Sequence, residues 1–154
     1  MGKALPQEKL IQELTNIRKG KKVVFTNGCF DLLHIGHIRY LQEAKNEGDI
    51  LVVALNSDES VKKLKGPERP IQSEQDRAEI LAALASVDYT TIFTEQTPIE
   101  VIRKIKPDVL VKGGDWKKET IVGWDFVESY GGVAKSLQFI NGKSTTAIIE
   151  KSKK

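Results

Sequence analysis

The sequence predicts an α/β protein with an open, doubly wound, parallel sheet of five strands and helices on both faces. Three observations predict it. Short apolar runs alternate with amphipathic helical stretches along the chain, the pattern of repeated strand-helix-strand units. The run Ile50-Leu51-Val52-Val53-Ala54-Leu55 is apolar at every position, as a strand buried on both faces of a helix-covered sheet must be. Two glycine-bearing turns, Asn27-Gly28 and Gly113-Gly114, follow apolar runs and so fall at the carboxyl ends of strands, where sheets of this class hold ligands.

The elements follow in order. Residues 7–19 carry Leu10, Ile11, Leu14 and Ile17 at helical spacing, with Gly20 as a stop. Residues 22–26 are β-branched and apolar, the first strand. From about Ile35, Ile38, Leu41 and Ala44 recur with polar residues between them, an amphipathic helix that Gly48-Asp49 interrupts before the run at 50–55. A short helix over 59–65 ends in lysines, and Gly66-Pro67-Glu68-Arg69-Pro70 cannot continue it. Ser73 caps the next helix, with Asp76 three residues on. Residues 87–93 form a third strand, Thr97 caps and Pro98 opens a helix over 99–105, and 108–111 form a fourth strand. A helix over 119–130, a last strand over 133–140 and a final helix over 147–151 complete the chain. The strands at 22–26 and 108–111 flank the point where the connections change direction. The whole reads as one domain over 1–154, with 1–20 packing on it from outside and 151–154 as a solvated basic tail.

The chain's 154 residues suffice for one well-buried core. No segment reaches the length of a membrane span, and the amino terminus lacks the apolar stretch of a signal peptide, so a cytoplasmic protein is expected. The lone cysteine, Cys29, excludes an intrachain disulfide and is expected to be a small turn residue, not a nucleophile. Net charge is +3 and aromatics are 6% of residues, without the dense basic, aromatic-laced stripe of a nucleic-acid binder. The expected anion is small.

The chemistry concentrates in Gly28-Cys29-Phe30-Asp31-Leu32-Leu33-His34-Ile35-Gly36-His37. A strand feeding a glycine turn and then a helix amino terminus is a phosphate site, because the first helical N–H groups have no intrahelical partner. The chain's two histidines bracket Gly36 there, spaced so that both imidazoles reach one side. Fixed donors at that place would stabilise the charge that develops when the α-phosphate of a nucleoside triphosphate is attacked. A metal pair is the weaker reading, since no third ligand recurs nearby at ligand spacing. Farther on, Lys112-Gly113-Gly114-Asp115-Trp116 offers a cation, close backbone approach and a carboxylate for a sugar hydroxyl or a metal, while Trp116 either stacks on a ligand or packs over the loop. Ser144, Thr145 and Thr146 put three hydroxyls at a second helix amino terminus.

The decapeptide resembles the G-x-F-D-x-x-H-x-G-H motif of the cytidylyltransferase-like nucleotidyltransferases, whose fold is Rossmann-like. From about Lys22 onward the chain looks most like their heptose 1-phosphate adenylyltransferase branch, matching its K-G-G-D and G-x-S-T-[TS]-x-I-I motifs. The resemblance implies that AMP passes from ATP to D-glycero-β-D-manno-heptose 1-phosphate, giving ADP-heptose and pyrophosphate, with Mg²⁺ bridging the ATP phosphates. It implies catalysis by His34 and His37, and nucleotide contacts from Thr26, Asn27, Gly28, Phe30, Gly36, Lys112, Gly113, Asp115, Ser144, Thr145 and Thr146. It implies contacts to the acceptor phosphate from Asp31, Lys65 and Arg77, although the lysine spacing departs from the K-x-K of cytidylyltransferases and Arg77 could equally pair with an acid. Glycerol-phosphate cytidylyltransferases carry R-T-x-G-x-S-T-T, whereas Phe139-Ile140-Asn141-Gly142 stands here without the arginine; Lys143 is expected to supply the charge. That departure favours adenylyl over cytidylyl transfer. Other readings are a CTP-dependent polyol-phosphate enzyme and a nucleotide sensor without chemistry. No sugar kinase is contained in the sequence, so a separate kinase is expected, and a homodimer is open, with Trp124 and Tyr130 in the core or at an interface.

Overall fold

The computed structural model describes residues 2–138 and 145–153. Its sheet is wholly parallel and has six strands, one more than the sequence pattern predicts. In chain order the elements are β1 (Lys3–Ala4), α1 (Gln7–Ile17), β2 (Val23–Gly28), α2 (Ile35–Asn46), β3 (Ile50–Asn56), α3 (Asp58–Lys65) and α4 (Glu74–Ala82). Then come β4 (Tyr89–Phe93), α5 (Ile99–Ile105), β5 (Val109–Gly113), a 3₁₀ turn (Lys118–Thr120), α6 (Trp124–Ser129), β6 (Val133–Leu137) and α7 (Thr145–Ser152). The strand order is β1-β4-β3-β2-β5-β6. The chain steps outward from β2 through β3 to β4, then crosses to β5 on the other side of β2. The carboxyl ends of β2 and β5, paired at Val24–Val109 and Phe25–Leu110, therefore flank the reversal as expected.

The alternation of β3 divides the core. Ile50, Val52 and Ala54 face α1, α5 and α6 with Phe25 and Leu110, while Leu51, Val53 and Leu55 face α2 and α4 with Tyr40, Leu41 and Leu81. Each buried Val, Leu, Ile or Phe side chain among them contributes roughly 1.5–3 kcal/mol. Trp124 and Tyr130, left open between core and interface, pack against the first of these layers as partly buried residues. Among the described residues no helix is long and apolar enough to cross a membrane.

The departures have local causes. The extra strand β1 has two residues, too few for any periodicity; the Lys3 and Leu5 amides tie it to the β4 edge by donating to the Asp88 and Thr90 carbonyls at 3.0 Å, and Gly2 passes so close that a Cβ there would stand 2.5 Å from the Val87 carbonyl. The helix expected over 119–130 is a 3₁₀ turn and the separate α6, broken at Gly123, whose φ of 93° lies in the left-handed region and whose missing Cβ leaves room for Ile102. Pro98, not Thr97, holds the cap position of α5, with no side-chain cap. β6 ends at Leu137, and the remainder of the strand expected to 140 lies partly outside the described residues. Helix α7 starts at Thr145 and not at Ala147, so Thr145 and Thr146 lie within its first turn.

Candidate active site

The turn after β2 is built around Phe30. Its φ of 46° is a conformation that aromatic residues rarely adopt, and burial of its ring against the α2 face of the sheet holds it there. A Cβ on Gly28 would stand 2.8 Å from that ring, so the glycine is needed for the ring's seat. The next backbone groups then enter α2 with His34 as its N-cap.

Capping fixes both imidazoles. His34 Nδ1 accepts from the Gly36 amide at 3.1 Å, and His37 Nδ1 accepts from the His34 amide at 3.3 Å, a reciprocal pair like a capping box built from histidines. The rings stack with centroids 3.8 Å apart, and the Phe30 ring stands 5.2 Å from that of His37. Because each Nδ1 accepts from an amide, the hydrogen-bond pattern assigns the proton of each neutral ring to Nε2. Burial, with the charge of His34 second, lowers the His37 pKa from 6.5 to about 4. At neutral pH His37 is a neutral N–H donor.

Both histidines line a cavity of about 340 Å³ together with Asn27, Gly28, Phe30, Lys65, Lys112, Gly113, Thr145 and Thr146. Cys29, Asp31, Tyr40 and Arg69 also line it. The elements that meet here are the β2 turn, the amino ends of α2 and α7, the end of α3 and the end of β5. Among the described residues three cations thus face one carboxylate, and that carboxylate is already engaged. Asp31 has a fully buried side chain that receives Arg69 Nε at 2.8 Å and the Ile71 and Gln72 amides at 2.9 and 3.0 Å. Burial opposes its charge, but these amide and guanidinium hydrogen bonds prevail and hold its pKa below the usual carboxylate range. Burial pushes the Cys29 thiol up, which makes it a poor nucleophile, in keeping with the expected turn role.

Several expected residues stand elsewhere. Thr26 is buried beneath the cavity with its hydroxyl 2.6 Å from that of Tyr40, and Gly36 is buried within α2. Arg77 does not line the cavity; its guanidinium donates to the Cys29 and Asn56 carbonyls at 2.8 Å, to the Gln72 carbonyl and to Asp58 Oδ1. Of its two readings, pairing with an acid is the one observed, and it clamps the ends of β2 and β3 to α4. Asp115 is exposed and outside the lining, and Ser144 and Lys143 lie outside the described residues. Trp116 packs over its own loop, donating from Nε1 to the Gly113 carbonyl, and its ring holds the Lys112 ammonium 4.1 Å from the centroid. Arg69 and Tyr40 line the cavity without having been singled out. For Arg69 the signal was present as one more cation in the basic loop, but nothing local ties residue 69 to residue 31.

This site falls within a recognised family. The model for cytidylyltransferase-like proteins matches residues 25–151. The chain belongs to the cytidylyltransferase-like family. Within it, the chain is 60% identical over 134 residues to the bifunctional protein HldE of Syntrophotalea carbinolica, covering 87% of this chain and 27% of that protein. It is 55% identical over 144 residues to the HldE of Aliarcobacter butzleri, covering 94% of this chain and 29% of that one. The chain therefore spans little more than a quarter of the curated relatives it matches. The crystal structure of a lipopolysaccharide core biosynthesis protein from Thermoplasma volcanium superposes with a TM-score of 0.65 at 31% identity, over 80% of this chain and all of that one. A pantoate-beta-alanine ligase from Francisella tularensis shares the fold alone, with a TM-score of 0.58 at 16% identity over 95% of this chain and 69% of that one.

Proposed function

We propose that the chain is an adenylyltransferase that moves AMP from ATP to D-glycero-β-D-manno-heptose 1-phosphate. The observation that carries the proposal is the pair of capped histidines at the amino end of α2, facing a cavity rich in cations. An acceptor phosphate oxygen forms a bond to the α-phosphorus while the bond to the β-phosphate bridging oxygen breaks, so pyrophosphate leaves with that electron pair and ADP-heptose remains. The Nε2–H groups of His34 and His37 donate to the α-phosphate oxygens as charge grows on them. Because capping already fixes the rings, little reorganisation accompanies the step. Lys65 and Lys112 neutralise phosphate charge, and the first turn of α7 receives the β- and γ-phosphates through Thr146, while Thr145, whose hydroxyl donates to the Leu32 carbonyl, holds that turn in place. Asn27, Gly28 and Gly113 line the nucleotide's bed.

Among the described residues no three His, Cys, Asp or Glu side chains form a metal cage, and Asp31 is engaged by Arg69. The donor set therefore fits Mg²⁺ arriving on the triphosphate as MgATP, where it offsets phosphate charge that would repel the acceptor. Heptose as the acceptor rests on the resemblance of the K-G-G-D and G-x-S-T-[TS]-x-I-I motifs to the heptose 1-phosphate adenylyltransferases, and a cytoplasmic reaction on its need for ATP. The test is pyrophosphate release with Mg²⁺, crossing ATP and CTP against heptose 1-phosphate and glycerol 3-phosphate. Turnover with ATP and the heptose phosphate alone is expected. Activity with CTP and the polyol phosphate would replace the adenylyl reading, and ATP binding without release from any pair would favour a sensor.

A further inference from the structure

We infer that Arg69, on the loop between α3 and α4, grips the outgoing pyrophosphate, and that Asp31 positions it to do so. The inference rests on the nucleotidyl-transfer reading and adds to it a residue that the motifs do not contain. Arg69 comes from a loop of solvated composition, yet its side chain is only 11% exposed and it lines the cavity with Lys65, Lys112 and the histidines. Withdrawing a guanidinium from water is costly unless its donors are used. Asp31 takes Nε at 2.8 Å, and Nη1 stands 3.5 Å from the Thr146 hydroxyl. Among the described residues the guanidinium has no other side-chain partner. A guanidinium carries five N–H donors in a rigid plane, so donors remain for a ligand.

The place of Thr146 decides which phosphate they meet. It lies in the first turn of α7, and its neighbour Thr145 donates to the Leu32 carbonyl, which ties that turn to the motif loop. A helix amino end and a hydroxyl give only partial charges to a pyrophosphate that gains charge as it leaves. A cation beside them, held by an ion pair instead of by a flexible stem, stabilises that charge without rearranging. The sequence carries no arginine in Phe139-Ile140-Asn141-Gly142, ahead of the hydroxyl block. Arg69 reaches the same block from a segment 77 residues away. Asp31, saturated by Arg69 and two amides, is in this account a positioning residue and not a phosphate ligand.

The experiment measures calorimetric binding of inorganic pyrophosphate and of AMP separately, on the full chain and on Arg69→Gln, with folding checked by circular dichroism. Arg69→Gln is expected to weaken pyrophosphate roughly tenfold to a hundredfold while AMP affinity stays unmoved. Unchanged pyrophosphate affinity, or an equal loss for both ligands, would overturn the assignment, the second by showing a merely structural role. If Arg69→Gln does not fold, Arg69→Lys carries the test, since it keeps the charge beside Asp31 but loses the fork; a selective loss of pyrophosphate affinity supports the inference and an unselective one, or none, overturns it. Wild-type protein that binds neither AMP nor pyrophosphate would overturn the nucleotidyl-transfer reading itself. Wild-type binding with an unaffected variant would overturn Arg69 alone.

Discussion

The cavity has two walls made in different ways. The histidine wall is local: residues 28–37 supply the glycine, the strained Phe30 and two imidazoles whose Nδ1 atoms are fixed by amides no more than three residues away. The Asp31–Arg69–Thr146 wall is assembled from three segments, bonded across 38 and 77 residues of sequence. A local wall depends on backbone conformation and keeps its geometry as long as α2 forms. An assembled wall depends on a buried ion pair and fails if either partner is lost. The contrast predicts that changes in the first cost rate and leave the fold, whereas changes in the second cost binding and stability together.

The sharpest break is His37→Ala. In the proposed mechanism it removes a donor to the reacting phosphate but leaves α2 its remaining hydrogen bonds, so kcat should fall roughly 10²- to 10³-fold with ATP affinity little changed. Steady-state pyrophosphate release and calorimetric ATP binding measure the two; a loss confined to KM would contradict the role. Asp31→Ala comes next. It leaves Arg69 buried without its partner and strands the Ile71 and Gln72 amides, for a loss of about 3 kcal/mol in urea unfolding. An unfolding curve like that of wild type would mean that the loop holds Arg69 unaided.

The pH response separates the walls again. His37 stays neutral in the folded chain down to about 4, whereas it titrates near 6.5 unfolded. Between those values the unfolded chain binds a proton that the folded one does not, so stability falls as pH drops from about 6.5 towards 4. Asp31 acts in the same direction at lower pH: its lowered folded pKa gives stability that is present above the ordinary carboxylate range and lost as pH falls through the folded value. Imidazole NMR of the free protein should show one ring titrating near 4, and two rings titrating near 6.5 would refute the burial account. The smallest effect belongs to Trp116→Leu. It frees the Lys112 ammonium from an exposed ring, a contact worth about 0.5–1 kcal/mol, and should alter ATP affinity only a few-fold by titration.

The same contrast explains what was legible in the sequence. Strand periodicity, the buried run at 50–55, the reversal between β2 and β5 and the histidine turn are all written in short stretches, and each is found as expected. The edge strand β1 was not, because two residues carry no period. The helix over 119–130 was overread, since a helical pattern does not reveal that Gly123 sits at a left-handed φ beneath Ile102. Arg77 lies near the site in sequence, yet its donors are spent on carbonyls at the ends of two strands, which only the packed sheet reveals. Arg69 was visible as a charge in a basic loop, and its partner Asp31 as a motif letter. Nothing short of the fold joins them.

The most direct test of the central claim is the stereochemistry at the α-phosphorus. One diastereomer of ATPαS should give, with heptose 1-phosphate, a thio-ADP-heptose of inverted configuration, because a single in-line displacement inverts that centre. Retention would require two displacements through a covalent enzyme intermediate, and would contradict an account in which the histidines act only as donors.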